Sequence, residues 1–322
     1  MFTLKDYELP IPTRRSDGRL QVDFNRHAAA LDLYDGASLY LFLFGRDARK
    51  PNFRGFPALM GPEWKRLMRS WLQTWVVFLA ERGIGYDRFS IYLADEYIGD
   101  EIYALARFIK EEVDPRIQIY ANSRGDRDGK QLARIAPYVD LWCWPDRPAT
   151  HRGSAAEIKV RENAQVWRYA ALGAAKALPP LSYYRLQPWR AFARGETGCG
   201  FWTYCRLVER GFTEWDDWNR KGGPYEVVYG PRGCPVDTSG EHFIPSRRWE
   251  AWREGIEDYE YLVQLQKAVE VAKSHGYAAA ASQAEQLLDQ VVRQVLDSPD
   301  DPNVVYEVRR LLTQQLLTMK VR

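Results

Sequence analysis

Two adjacent carboxylates, Asp95 and Glu96, follow the short apolar segment Ser90–Ala94. Charged side chains are costly inside a sheet but are tolerated where a strand leaves the core at its C-terminal end. One carboxylic acid can protonate a leaving group while its neighbour, still ionised, stabilises developing positive charge. Because two like charges in one pocket push one pKa upward, adjacent acids favour this division of roles. The pair is therefore the first candidate for acid–base chemistry.

The backbone after this segment has to bend if both acids are to share a pocket. Neighbouring side chains on a regular strand point to opposite faces of the sheet. The next residues, Tyr97, Ile98 and Gly99, are typical of a chain that is leaving a strand. We therefore predict a bend at Asp95 and Glu96, and we assign Tyr97 to the residues that contact a substrate.

Other polar side chains are weaker candidates. Asn122 and Arg124 follow a predicted strand and could hydrogen-bond the hydroxyl groups of a ligand, although a solvated loop explains them as well. Glu257 and Asp258 form a second acid pair, but they lie inside a predicted helix. There we favour a structural role, in which the acids tie the helix to neighbouring arginines. For Arg248 we likewise favour anchoring of this helix over contact with a ligand.

Aromatic residues are numerous, with twelve tryptophans and nineteen tyrosines. Such residues often line carbohydrate grooves, although ordinary packing explains most of them. Trp142 and Trp144 are two residues apart on a predicted strand, so they share a face, and so do Trp202 and Tyr204. For each pair the sequence allows two roles, contact with a sugar or packing in the core. The second pair could wall a pocket if its face points into the mouth of a barrel.

Charge and composition exclude several classes of function. Acidic and basic residues are intermixed and the formal net charge is only +2, so we predict neither nucleic acid nor an anionic membrane as a partner. The four cysteines and four histidines show no metal-binding spacing, and we predict no metal and no other cofactor. No phosphate-binding loop of the GxGxxG or GxxxxGKS/T type follows a predicted strand.

Strands and helices alternate along the predicted elements. Strands are predicted at 38–44, 90–94, 117–121, 139–143, 165–169 and 200–205, and helices near 61–83, 99–112, 130–136, 155–161 and 185–194. This alternation indicates parallel βα units in an α/β fold, either a barrel or a doubly wound sheet. The missing phosphate loops favour the (β/α) barrel.

We divide the chain into three parts. Residues 1–37 are predicted to be an extended segment with a short helix near 24–33, residues 38–270 a barrel domain, and residues 271–322 a helical hairpin packed on the barrel. Ser246 is predicted to cap a long helix. The N-terminus lacks the pattern of a signal peptide, and no apolar run approaches the about 18 residues of a membrane span. We expect a soluble bacterial protein and leave its compartment open.

The segment Ile244–Leu262 resembles the C-terminal signature of glycoside hydrolase family 123 and of the related domain of unknown function 4091. The residues that match this pattern are Ser246, Arg248, Glu250, Arg253, Gly255, Glu257, Asp258, Tyr259 and Tyr261. The acid pair, the segment Gly200–Tyr204 and the segment Val227–Tyr229 also follow in the order of this family. The resemblance covers roughly residues 38–265.

The resemblance implies a TIM-barrel β-N-acetylhexosaminidase that acts on N-acetylgalactosaminides by substrate assistance. In that reading Glu96 is the general acid/base, and Asp95 orients the 2-acetamido group of the substrate and stabilises an oxazolinium-like intermediate. The alternative is a catalytically silent carbohydrate-binding or scaffold domain of the same fold. A third reading is a hydrolase that acts on sugars without the acetamido group.

The strand count departs from the pattern of the family. In barrel glycosidases of this type the acid usually follows the fourth strand, which makes the segment 38–44 the third strand and 200–205 the eighth. The first two strands, and the β-sandwich expected before them, are then missing. We expect that the chain is a fragment without its N-terminal segment, that residues 1–37 fill the gap, or that a second chain completes the barrel.

Overall fold

The computed structural model describes residues 2–4, 10, 12–44, 52, 56–122, 129–146, 164–172, 175–205, 225–230 and 243–320. The chain divides into two compact units, residues 1–166 and residues 167–322. This division falls inside the predicted barrel domain rather than at residue 37 or residue 270. It lies within one strand, which begins in the first unit and continues into the second.

The first unit contains a parallel sheet with helices between its strands. Its strands are β1 (Phe2–Leu4), β2 (Thr13–Arg14), β3 (Leu20–Gln21), β4 (Tyr40–Leu43), β5 (Phe89–Tyr92), β6 (Gln118–Asn122) and β7 (Leu141–Pro145). Its helices are α1 (Asn25–Asp32), α2 (Pro62–Glu81), α3 (Asp100–Phe108) and α4 (Gly129–Ile135). Strands β1, β4, β5, β6 and β7 are parallel neighbours in this order, while β2 and β3 form a small antiparallel pair. Parallel strands joined by helices are the βα units that the sequence predicts.

Helix α2 supplies much of the core of this unit. Its buried residues recur every three or four positions and form one apolar stripe, Trp64, Leu67, Met68, Trp71, Leu72, Trp75, Phe78 and Leu79. Trp75 stacks on Trp71 with ring centroids 5.6 Å apart, and it meets the ring of Phe42 on β4 edge to face at 4.8 Å. Pro62 lies in the first turn, where its missing N–H removes no helical hydrogen bond. The stripe is therefore packing of helix against sheet, as its period predicts.

Strand β1 corrects the prediction that both strands before β4 are missing. Phe2–Leu4 pairs in parallel with Tyr40–Leu43, in the position of the second strand of a barrel. An edge partner satisfies backbone groups of β4, whose residues Tyr40, Leu41 and Phe42 are buried and would otherwise leave those groups without water. Strand β5 is then the fourth in this count, as predicted.

The second unit contains the last parallel strands and the C-terminal helices. Strands β8 (Gln165–Ala170) and β9 (Gly198–Phe201) are parallel neighbours, and β10 (Val228–Tyr229) pairs antiparallel with β11 (Ile244–Pro245). Helix α5 (Leu186–Ala193) precedes β9, and α6 (Arg247–Ser274), α7 (Ala278–Asp297) and α8 (Pro302–Lys320) follow β11. Buried aliphatic side chains of α6, α7 and α8, among them Leu265, Val291 and Leu312, form one apolar cluster.

All six predicted parallel strands are present, and so are the two closing helices. The fold class is therefore α/β, an incomplete TIM-type barrel with C-terminal helices, as predicted. Strand β8 starts in the first unit, where the N–H of Gln165 donates to the carbonyl oxygen of Asp140 just before β7. In the described part of the chain, no helix has the length and apolar character needed to cross a membrane.

Candidate functional site

The acid pair lies just beyond the carboxyl end of β5. The strand ends at Tyr92, the buried residues Leu93 and Ala94 follow, and the backbone bends at Asp95 and Glu96. Glu96 has a φ of 51°, in the left-handed region that residues with a side chain rarely adopt. This conformation costs about 1–2 kcal/mol and persists where the surrounding structure holds it. The bend predicted between the two acids is therefore present.

Asp95 has an exposed side chain, but one of its two oxygens is held by the protein. Its Oδ1 accepts hydrogen bonds from the hydroxyl of Tyr92 and from Nδ2 of Asn122, the latter at 3.3 Å. Both donors are neutral, so they hold the carboxylate without bringing a positive charge next to it. Among the described residues no group hydrogen-bonds Oδ2, which is left to receive a donor from a ligand.

Asn122 connects the two acids. It is the last residue of β6 and only 6% exposed. Its Oδ1 accepts the backbone N–H of Glu96 at 2.7 Å, while its Nδ2 donates to Asp95. The side-chain amide is thus engaged with the acid pair. This differs from the predicted contact with ligand hydroxyls, because the register of the two strands places Asn122 beside the bend.

Tyr92 is a site residue that the sequence analysis did not identify. Its ring is 7% exposed and meets the ring of Tyr120 edge to face, with centroids 4.6 Å apart. Burial, and then the negative charge of Asp95, raise the pKa of Tyr92 well above that of a free tyrosine. Tyr92 therefore keeps its proton and donates a hydrogen bond to Asp95. The signal in the sequence was a tyrosine at the end of a buried strand, three residues before an acid.

Tyr97 is half-buried against the start of α3. Its hydroxyl donates to Oε2 of Glu101 at 3.4 Å. Gly99 makes this arrangement feasible, because a Cβ at that position would overlap the Tyr97 hydroxyl. The side chain of Tyr97 therefore contacts the first turn of α3. Its contact with a substrate stays a prediction.

Trp142 and Trp144 are packed in the core of the first unit. Their rings stack on each other with centroids 4.6 Å apart, and both belong to the apolar cluster that contains the α2 tryptophans. The rings are 0% and 2% exposed, so neither presents a face to a sugar. Of the two roles left open for this pair, the structure therefore supports packing. We leave both residues out of the proposed site.

Trp202 and Tyr204 lie in the second unit, beyond the end of β9. The predicted strand at 200–205 ends at Phe201, so these residues do not share a strand face. Trp202 is 53% exposed and Tyr204 47% exposed, and Tyr204 meets Trp249 edge to face at 4.8 Å. Their exposure argues against core packing and leaves ring surface open for a ligand. The remaining predicted contact, Arg124, lies outside the described residues.

The second acid pair has the structural role that was favoured for it. Asp258 is buried in α6, and its carboxylate accepts hydrogen bonds from Arg185 at 2.9 Å, Trp189 at 3.1 Å and Arg309 at 2.6 Å. Glu257 forms an ion pair with Arg253 on the surface of the same helix. These acids are therefore neutralised by arginines.

The other matching residues of the segment 244–262 also stabilise α6. The Ser246 hydroxyl caps the helix by accepting the N–H groups of Arg248 and Trp249. Arg248 donates from Nε to the carbonyl oxygen of Leu178 at 3.1 Å, which confirms the predicted anchoring. Gly255 lies so close to the backbone of Arg185 that a Cβ would overlap its carbonyl oxygen. Within the described residues, this segment is therefore structural.

Among the described residues there is no group of three or more His, Cys, Asp or Glu side chains that could hold a metal ion. The residues assembled at the bend are two carboxylates, a phenol and an amide. This set can transfer protons and stabilise positive charge.

Fold and site together define a class, an α/β chain of the incomplete TIM-barrel type with an acid pair after the fourth strand position. The chain is similar in structure to a family 123 glycoside hydrolase from Clostridium perfringens that was analysed for glycolipid glycan hydrolysis. The TM-score is 0.62 at 14% sequence identity, over 97% of this chain and 59% of that chain. The resemblance predicted from the segment 244–262 is thus confirmed at the level of the fold. The chain spans 59% of the length of the similar protein.

A second similar structure is the endo-1,4-beta-mannanase from Rhizomucor miehei, with a TM-score of 0.41 at 8% identity. The similarity covers 62% of this chain and 74% of the mannanase chain. No protein-family model matches the sequence, and no curated protein matches it either.

Proposed function

We propose that the chain is a glycosidase domain that removes β-linked N-acetylhexosamine, of the N-acetylgalactosamine type, by substrate-assisted catalysis. Glu96 is the general acid/base, and Asp95 orients the acetamido group. One observation carries the proposal, the half-engaged carboxylate of Asp95: one oxygen is held by neutral donors, and the other has no hydrogen-bond partner among the described residues. The fold shared with a family 123 glycoside hydrolase supports it.

Asp95 is suited to hold the acetamido group. The amide N–H of the substrate would donate to Oδ2, which turns the amide oxygen toward the anomeric carbon. As that oxygen attacks, positive charge develops on the amide nitrogen next to the carboxylate. A negative group fixed in place stabilises this charge without reorganising during the reaction. Because Tyr92 and Asn122 are neutral, the full charge of Asp95 stays available.

Glu96 is suited to handle the proton. Cleavage of a glycosidic bond needs a proton on the leaving oxygen, and the same group later removes a proton from the attacking water. Since the amide oxygen of the substrate is the nucleophile, no second carboxylate has to lie on the opposite side of the sugar. An adjacent pair is therefore sufficient, provided that the backbone bends, as it does at Glu96.

The substrate class follows from the same proposal. The Clostridium protein hydrolyses glycolipid glycans, and we propose a glycan that ends in N-acetylhexosamine as the substrate here. The exposed rings of Trp202 and Tyr204 provide apolar surface of the kind on which sugar rings stack.

The test is release of nitrophenol from an aryl N-acetyl-β-galactosaminide. We expect turnover by the wild-type protein, and Glu96→Gln should lower kcat/KM by about 100- to 10,000-fold, the usual contribution of a general acid/base. Asp95→Asn should also lower kcat, because it removes the negative charge. Matched controls are Glu270→Gln and Asp289→Asn, which change exposed acids on α6 and α7.

Two outcomes would contradict the proposal in different ways. Wild-type inactivity against a panel of aryl glycosides would favour a catalytically silent carbohydrate-binding domain. Turnover of sugars without the acetamido group, with little effect of Asp95→Asn, would favour a glycosidase of a different mechanism.

A further inference from the structure

We propose that Asn122 and Tyr92 are positioning residues that hold the acid pair in its reactive geometry. This inference rests on the proposed function, because it assigns roles within the same site. The residues lie at the ends of the neighbouring strands β5 and β6, and all their hydrogen bonds given above go to Asp95 or to Glu96. Neither residue needs to touch the substrate.

Asn122 holds the two acids relative to each other. Its side-chain amide accepts a hydrogen bond from the backbone N–H of Glu96 and donates one to the carboxylate of Asp95. One planar group therefore fixes the positions of both acids. The left-handed backbone of Glu96 is unfavourable by itself. A hydrogen bond of 2.7 Å from its N–H to a buried acceptor offsets part of that cost. Without this acceptor, Glu96 can relax toward an ordinary conformation and turn its carboxyl group away.

Tyr92 fixes the rotation of the Asp95 carboxylate. Its hydroxyl and the Asn122 amide both donate to Oδ1, and within the described residues no donor bonds Oδ2. If the hydroxyl is removed, the carboxylate loses one of the two donors that hold its Oδ1. Its orientation toward an acetamido group is then less well defined.

The sheet makes this arrangement rigid. Ser90, Ile91 and Tyr92 of β5 are registered against Gln118, Ile119 and Tyr120 of β6, so the distance from Tyr92 to the end of β6 is set by backbone hydrogen bonds. Both positioning side chains are also buried. Groups held on strands are placed more accurately than groups held on loops.

Three variants separate the hydrogen bonds. Asn122→Ala removes both contacts of the amide, Asn122→Asp keeps an acceptor for the Glu96 N–H but loses the donor to Asp95, and Tyr92→Phe removes only the hydroxyl. Tyr184→Phe is the matched control, since it removes a buried hydroxyl in the second unit.

The kinetic readout is kcat, KM and the pH profile with the aryl glycoside. We expect kcat to fall about 10- to 100-fold in each of the three variants, the size of effect that a misplacement of about 1 Å produces. KM should change less than kcat, because binding contacts are retained. The pH profile should also change in the three variants, because each alters the hydrogen bonds that hold the acid pair. The control should show neither effect.

A second readout does not depend on turnover. Hydrogen exchange at the Glu96 amide should be slow in the wild-type protein and in Asn122→Asp, and about 10-fold faster or more in Asn122→Ala, where the acceptor is lost. Equal exchange in wild-type protein and Asn122→Ala would overturn the inference for Asn122. Unchanged kcat and an unchanged pH profile in Tyr92→Phe would overturn it for Tyr92. Wild-type inactivity with the expected exchange pattern would instead refute the proposed function and leave Asn122 as the group that holds the pair.

Discussion

The chain carries two acid pairs with opposite surroundings. Asp95 and Glu96 lie at a bend after a strand, and the carboxylate of Asp95 is exposed and held by neutral donors. Glu257 and Asp258 lie inside a long helix, and Asp258 is buried between Arg185 and Arg309. An acid whose charge is cancelled by arginines stabilises the fold, whereas one held by a phenol and an amide keeps its charge for a ligand. The partners of a carboxylate thus separate the two roles better than the acid itself does.

The largest expected effect on stability comes from Asp258. We expect Asp258→Asn to lower the free energy of unfolding by about 3–5 kcal/mol, because it leaves buried Arg185 without its main counter-charge. Chemical denaturation monitored by tryptophan fluorescence measures this change. The control variant is Glu257→Gln at the neighbouring position. It alters a solvated ion pair and should change the free energy of unfolding little. Equal stability of the two variants would show that the helix pair is not structural in the way described.

A smaller loss of stability is expected where α6 approaches the backbone of Arg185. Gly255→Ala should destabilise the protein by about 1–3 kcal/mol, because the added Cβ would overlap the Arg185 carbonyl oxygen. Alanine otherwise favours a helix over glycine by about 1 kcal/mol, so a loss of stability identifies the steric contact. Thermal unfolding is the measurement, with Gly36→Ala as control because nothing lies within 4 Å of its Cβ. A gain of stability in Gly255→Ala would contradict the close approach.

The smallest effect is expected at alkaline pH and concerns the first acid pair. Since the pKa of Tyr92 is raised by burial and by Asp95, the folded chain keeps a proton that the unfolded chain loses above pH of about 10. The unfolded state then binds fewer protons, so stability falls as pH rises, by about 1.4 kcal/mol per pH unit for this one group. Tyr92→Phe should therefore lose less stability than the wild-type protein between about pH 10 and 11. Parallel stability curves for the two proteins would show that Tyr92 is not buried against the carboxylate.

Helices and strands with a clear local pattern were predictable from the sequence. The apolar stripe of α2 repeats every 3.6 residues, and its eight residues are those that are buried. The six predicted strands are short apolar runs between helices, and each is present. Strand β1 was missed because its partner, β4, is about 40 residues away, and only pairing with that strand makes Phe2–Leu4 regular.

The site was predictable only in part. The acids were found because two charges follow an apolar run, and the bend was required by the alternation of strand side chains. Tyr92 and Asn122 could not be grouped with them in these roles, since their contacts depend on the register of β5 against β6. Trp142 and Trp144 show the same limit: alternation places them on one face of β7 but does not say which face meets the helices.

The sequence by itself therefore determined most of the helices and strands, the location of the acid pair and the fold-level resemblance. Each of these depends on residues close together in the chain, where periodicity and local chemistry decide. Only the tertiary structure decided which acid pair is neutralised, which aromatic rings stay exposed and which side chains hold Asp95 and Glu96. Those outcomes depend on contacts between segments that are far apart in sequence. Such contacts are set by strand register and burial rather than by local pattern.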